Sequence, residues 1–135
     1  METTNLTTSK LTIKYNGSDI QIPIITNTHP EEYPLDPIQE YLQDNLDQLP
    51  KHITQNYIPI SYQLLEYKFL WPNLSPTGNV HITHIVTFNL NPHRTQLFSR
   101  IELERAFSEA FWDPDFVCKV ITTYNTITVI IDGSN

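Results

Sequence analysis

Between Gly78 and Pro114 the chain spells out a strand, a turn and a capped helix, and no other stretch constrains the fold as tightly. From Val80 the residues alternate. Val80, Ile82, Val86, Phe88 and Leu90 fall on one side and His81, Thr83, Thr87 and Asn89 on the other, with Ile85 as the exception. A two-residue period of this length predicts a strand with one buried face. Asn91-Pro92 ends it, because proline brings no N–H to a ladder and restricts the residue before it. Ser99 then stands three residues before Glu102, the spacing of a capping box, and Phe98 and Leu103 are placed as a hydrophobic staple. Leu103, Ala106, Phe107, Ala110 and Phe111 follow at helical spacing, and Asp113-Pro114 stops the helix. A strand and a helix with one apolar side each are expected to bury those sides against each other.

The flanking segments extend this pattern. Leu11, Ile13 and Tyr15 alternate with Thr12 and Lys14, Asn16-Gly17 signals a hairpin turn, and Ile20, Ile22 and Ile24 form the returning strand. Pro23 within that strand reads as a mark of a sheet edge. Residues 26–36 form a proline-spaced acidic connector. Asp36 then serves as N-cap, Pro37 as the first helical residue and Gln39 as the capping partner of a helix ended by Pro50. Ile38, Tyr41, Leu42, Leu46 and Leu49 share its apolar face, while Glu40, Gln43, Asp44 and Asp47 face water. Residues 51–59 read as a connection. Leu65, Tyr67, Phe69 and Trp71 alternate in a third strand from Ser61 to Trp71 and are expected in the core. Residues 116–122 and 126–131 make the last two strands, with Tyr124-Asn125 as the turn. The order ββαββαββ predicts one α+β two-layer domain over residues 1–135: a mainly antiparallel sheet with two helices on one face and a flexible amino terminus over residues 1–9.

Charge narrows the function classes. The formal net charge is −7 and the 8 basic residues are scattered, which argues against nucleic acid and anionic membranes as partners. With Cys118 the only cysteine, no intrachain disulfide or cysteine zinc cluster can form. No basic-apolar leader and no apolar run of about 18 residues is present, so an intracellular, reducing compartment is expected. Three glycines leave little material for phosphate-cradling loops, and no cofactor is expected. His81 and His84 point to opposite faces of their strand, so no metal site is expected, and His84 falls on the apolar face as a hydrogen-bonded core histidine.

His81-Ile82-Thr83 and His93-Arg94-Thr95 both fit the His-x-Thr pattern and resemble the paired motifs of two-histidine phosphoesterases. That resemblance implies an alternative, enzymatic reading, with His81 and His93 as general base and acid and with Thr83 and Thr95 holding phosphate oxygens. The connector carries a second candidate. Pro30, Glu31, Glu32, Tyr33, Pro34 and Leu35 make a stiff acidic segment with an aromatic anchor, suited to docking on a protein partner.

Thr87, Asn91-Pro92-His93-Arg94-Thr95, Ser99, Ala106 and Trp112-Asp113 together resemble a segment of rhabdovirus matrix proteins, in which a strand passes through an Asn/Arg/Pro turn into an amphipathic helix ending near Trp-Asp. The resemblance implies a compact α+β domain that self-associates, condenses a nucleocapsid and drives budding, with a proline-tyrosine motif recruiting host machinery. The expectation is a small non-enzymatic protein acting through protein–protein contacts in a host cytoplasm. It would be viral matrix-like or accessory, self-associating and recruiting partners.

Overall fold

The computed structural model describes residues 6–27, 34–69, 79–94 and 98–133. In chain order the elements are β1 (Thr7–Tyr15), β2 (Ser18–Thr26), α1 (Leu35–Leu46), α2 (Lys51–Thr54), β3 (Tyr57–Phe69), β4 (Asn79–Leu90), α3 (Arg100–Ala110), β5 (Val117–Thr122) and β6 (Thr126–Gly133). The strands form one six-stranded sheet in the order β1-β2-β3-β4-β6-β5. β2 and β3 pair in parallel, and every other neighbour is antiparallel. This is the α+β two-layer arrangement that the element order implies. Three hairpins build it. A helical crossover separates the first from the second, and α3 leads to the third, whose β6 lies against β4.

The first hairpin turns at Asn16-Gly17 with φ of 53° and 78°, two successive left-handed residues that suit the twist of the flanking strands. Alternate residues of the sheet then face the helices: Leu11 and Ile13, Ile22 and Ile24, Tyr62 and Leu64, Val86 and Phe88, Ile127 and Val129 are all buried in one core. α1 contributes Ile38, Leu42 and Leu46 to it, and α3 contributes Leu103, Phe107 and Phe111. The strand and helix read first do meet: Phe88 lies 4.8 Å from Phe107 and 6.2 Å from Phe111 between ring centroids. The capping box of α3 forms, Ser99 Oγ accepting from the Glu102 N–H at 3.2 Å, and Phe98 packs on the core beside it. The Val80 side chain lies outside the description.

Several expectations are corrected. The Asp36 cap does not form: α1 begins at Leu35 with Pro34 at the N-cap and no side-chain cap. Gln39, the expected capping partner, instead accepts from the Thr12 N–H at 2.9 Å, because the edge strand offers a donor that no strand satisfies. α1 stops at Leu46, and Pro50 opens the four-residue α2, a third helix inside the expected connection. β3 begins at Tyr57 and not Ser61, with an irregularity between Pro59 and Ser61. Tyr62 and Leu64 face the core, so Leu65 lies on the face away from the helices, paired with Thr83. Trp71 and the side chains of Tyr67 and Phe69 lie outside the description.

β2 is not an edge strand, since it lies between β1 and β3. Pro23 sits opposite Lys10, and pairing with β3 starts only at Ile24. Pairs alternate from a two-residue turn, which directs the Pro23 nitrogen toward β3, two residues before Ile25 offers that strand its first donor. Beyond Thr26, the Asn27 side chain prolongs the β2–β3 pairing, donating to the Glu66 carbonyl and accepting from the Glu66 N–H, both at 2.8 Å. Residues 7–9 belong to β1, against the flexible amino terminus expected over 1–9, and residues 1–5 lie outside the description. Residues 28–33 of the connector lie outside the description.

Candidate functional site

The two edges of the sheet differ in chemistry. In an antiparallel pair, every second residue turns its N–H and C=O away from the partner strand. On β1 those residues include Thr12 and Lys14, and α1 covers them. Gln39 Oε1 accepts from the Thr12 N–H at 2.9 Å. Gln43 Oε1 accepts from the Lys14 N–H at 2.7 Å, and its Nε2 donates to the Lys14 carbonyl at 2.9 Å. The helix therefore caps the hairpin half of this edge, at Thr12 and Lys14, as a further strand would; Thr8 and Lys10 turn outward beyond its reach.

β5 forms the opposite edge. Its hairpin with β6 turns at Tyr124-Asn125, and the Thr123 N–H donates to the Thr126 carbonyl at 2.9 Å. Counting back from that bonded pair, Ile121 and Lys119 bond to β6, and Thr122, Val120 and Cys118 turn their main-chain groups outward. Among the described residues no helix side chain hydrogen-bonds to them. An edge of this kind accepts another strand unless something blocks it.

A cleft runs beside this edge, between α3 and β5. One part, of about 470 Å³, is lined by Ser108, Glu109, Trp112, Phe116 and Cys118. An adjoining part, of about 420 Å³, is lined by Ile101, Glu104, Arg105, Ser108 and the β5 residues Cys118, Lys119 and Val120. Ile101, 71% exposed, and Trp112, 69%, make the rim apolar and wet, and Val117, 63% exposed, lies on the other face of β5. With Ile121 and Tyr124, these make five of the eight large hydrophobic side chains exposed among the described residues. Scattered single exposures need no explanation, whereas this concentration at one edge does. The charged lining is balanced, two acids (Glu104, Glu109) and two bases (Arg105, Lys119), in a chain of net charge −7.

Behind the cleft lies a buried polar cluster. His84 on β4 has the Tyr62 hydroxyl on its Nδ1, the Tyr41 ring of α1 at 5.0 Å and the Phe116 ring at 5.7 Å. Burial holds the imidazole down at about 4, against a smaller opposing pull from Asp113, so the ring is neutral near pH 7. Burial likewise pushes Tyr41 up to about 12 and raises Tyr62 and the Cys118 thiol. A neutral histidine flanked by protonated phenols, with a thiol held in its unreactive form, joins α1 to the sheet and to the segment leading into β5. No group there is activated as a nucleophile.

The residues singled out by sequence are dispersed. Pro30, Glu31, Glu32 and Tyr33 lie outside the described residues, Pro34 is exposed at the start of α1, and Leu35 is its first residue. His81 lies in β4 opposite Tyr67, its side chain outside the description. Thr83 is buried on the face away from the helices and donates to Asp132 Oδ1 at 3.2 Å. His93 is exposed in the turn after β4, where its N–H donates to Asn91 Oδ1 at 3.1 Å; Thr95 lies outside the description. The run of strand from position 81 to Leu90 sets His81 and His93 on the order of 20–30 Å apart, so the chain does not bring them together. Among the described residues no group of three or more His, Cys, Asp or Glu could hold a metal ion, and no helix is long and apolar enough to cross a membrane.

Comparison with protein families, curated proteins and solved structures returns no match to this chain. Of the residues that define this edge, the sequence reading places Val117 to Thr122 in a strand and Trp112 at the end of the second helix, and does not single out Ile101. The available signal was the apolar character of both parities of Val117-Cys118-Lys119-Val120-Ile121, with a single charge to interrupt it.

Proposed function

We propose that this is a non-enzymatic protein that acts through protein–protein contacts, and that it makes them by accepting a strand at β5. One observation carries the reading: of the two sheet edges, one is capped at Thr12 and Lys14 by Gln39 and Gln43, and the other, beside an apolar-rimmed cleft, has no such side-chain bond among the described residues. Main-chain pairing gives such a contact its affinity, and alternate side chains entering the α3–β5 cleft give it selectivity. The resemblance of residues 87–113 to rhabdovirus matrix proteins supports the same reading in a finer form, that of a matrix-like assembly protein that also recruits partners.

Placing a photo-crosslinking residue at Ile121 or at Thr12, in cells expressing the protein, tests it. Both positions are exposed, one on each edge strand. Discrete protein adducts from position 121 and none from position 12 are expected. Equal labelling of both edges, or no adduct from position 121, overturns the reading.

A further inference from the structure

We infer that the strand accepted at β5 is β5 of a second copy of this chain, paired antiparallel about a two-fold axis so that two sheets become one of twelve strands. This rests on the contact reading above and adds the identity of the occupant. An isologous strand pair is self-complementary by construction, because each outward N–H on one copy meets the same strand's carbonyl on the other.

The side chains select one register. β5 is only six residues long, and pairing Val120 with the partner's Val120 keeps all three outward residues in the ladder, with Cys118 opposite Thr122 of the partner subunit in both directions. Lys119 then faces Ile121 of the partner subunit. Slipping the pairing by two residues toward the amino-terminal end sets Lys119 against its own copy, a like-charge pair that a sheet disfavours. Slipping it the other way shortens the ladder.

Charge and area point to the same occupant. A protein of net charge −7 repels itself over most of its surface. The cleft lining, with Glu104 and Glu109 offset by Arg105 and Lys119, is a place where two copies can approach without that penalty. A six-residue strand pair alone falls short of the roughly 800 Å² per partner of a stable interface. The exposed Ile101 and Trp112, on the rim of the cleft beside β5, supply the additional apolar surface.

Sedimentation equilibrium of the full chain, with two kinds of variant, tests this. The parent is expected to dimerise. Val120→Pro removes an N–H that points away from β6, so the β5–β6 ladder keeps its bonds. Its dimer dissociation constant should rise at least ~100-fold, since each copy loses a main-chain bond and meets a bulky ring. Cys118→Ser/Val120→Cys should give a disulfide-linked dimer on mild oxidation, because residues on the axis of a bonded pair have Cα atoms about 5.5 Å apart. The parent should not, because in this register its two Cys118 Cα atoms lie about 13 Å apart. A parent that stays monomeric, assembles beyond a dimer, cross-links through Cys118, or dimerises undisturbed by Val120→Pro overturns the inference. If it is monomeric while position 121 still cross-links in cells to proteins of other mass, the second copy fails and the contact reading stands.

Discussion

At the β1 end of the sheet, two glutamines of α1 take up the main-chain groups of Thr12 and Lys14. At the β5 end, the corresponding groups of Cys118, Val120 and Thr122 turn outward with no such cap among the described residues, beside a cleft rimmed by Ile101 and Trp112. The two ends belong to the same sheet and share one core, so the difference is not one of stability or of strand propensity. It lies in what the neighbouring helix does. α1 reaches its edge with amide side chains that mimic a peptide group, whereas α3, which also packs beside its edge strand, makes no such hydrogen bond to β5 among the described residues. Edge strands are ordinarily blocked against aggregation, and the contact proposed above is what gives the β5 edge a use.

The shared core is the premise of that comparison, and breaking it gives the largest effect. Phe107→Ala should cost on the order of 3–5 kcal/mol, the range for truncating a buried aromatic, with both edges losing amide protection in one transition. If only the α3–β5 side loosened, the sheet would comprise two units and the contrast of its edges would lose its meaning.

Acid should act next, through the cluster that ties α1 to the sheet and to the approach to β5. His84 is held at about 4 against an ordinary 6.5 by burial, opposed in part by Asp113. Above pH 6.5 neither state binds the proton and stability is flat. Between 6.5 and 4 the unfolded chain binds it and the native state does not, so about 3 kcal/mol of stability should be lost as pH falls through that window. Denaturant titrations at pH 7 and pH 4 measure the slope. His84→Gln, which can still accept from Tyr62, should flatten that part of it; an unchanged slope would place the acid sensitivity elsewhere.

Opening the closed edge sharpens the comparison directly. Replacing Gln39 and Gln43 by Ala removes three main-chain bonds at an exposed edge, at a cost of about 2 kcal/mol. It should also let β1 associate, seen as concentration-dependent species in light scattering that the parent does not form. A variant that is less stable and no more adhesive would show that the glutamines hold α1 in place without guarding the strand.

How much of this could be read from sequence follows from the range of each signal. β4 and α3 were legible because alternation, the Ser99–Glu102 box and the Leu103–Phe111 stripe are local. Gln39 was misread because its partner, Thr12, lies 27 residues away and nothing near Asp36 shows that the helix already starts at Leu35. Leu64-Leu65 places an apolar residue on each parity, so alternation could not tell which one faces the helices. The open edge was least legible. Being an edge depends on strand order, and in the third hairpin it is β6, the later strand, that inserts beside β4. The folding of β5 was foreseeable from its β-branched residues; its exposure was not.

Amide hydrogen exchange read residue by residue at two protein concentrations is the most direct measurement. In dilute protein the Thr12 and Lys14 amides should exchange slowly and the Val120 amide fast. On raising the concentration, Val120 should become protected together with Cys118 and Thr122, while Thr12 and Lys14 stay as they were. A Val120 amide already as slow as Thr12 in dilute protein, or one that exchanges fast at every concentration, would contradict an edge kept open for a second strand.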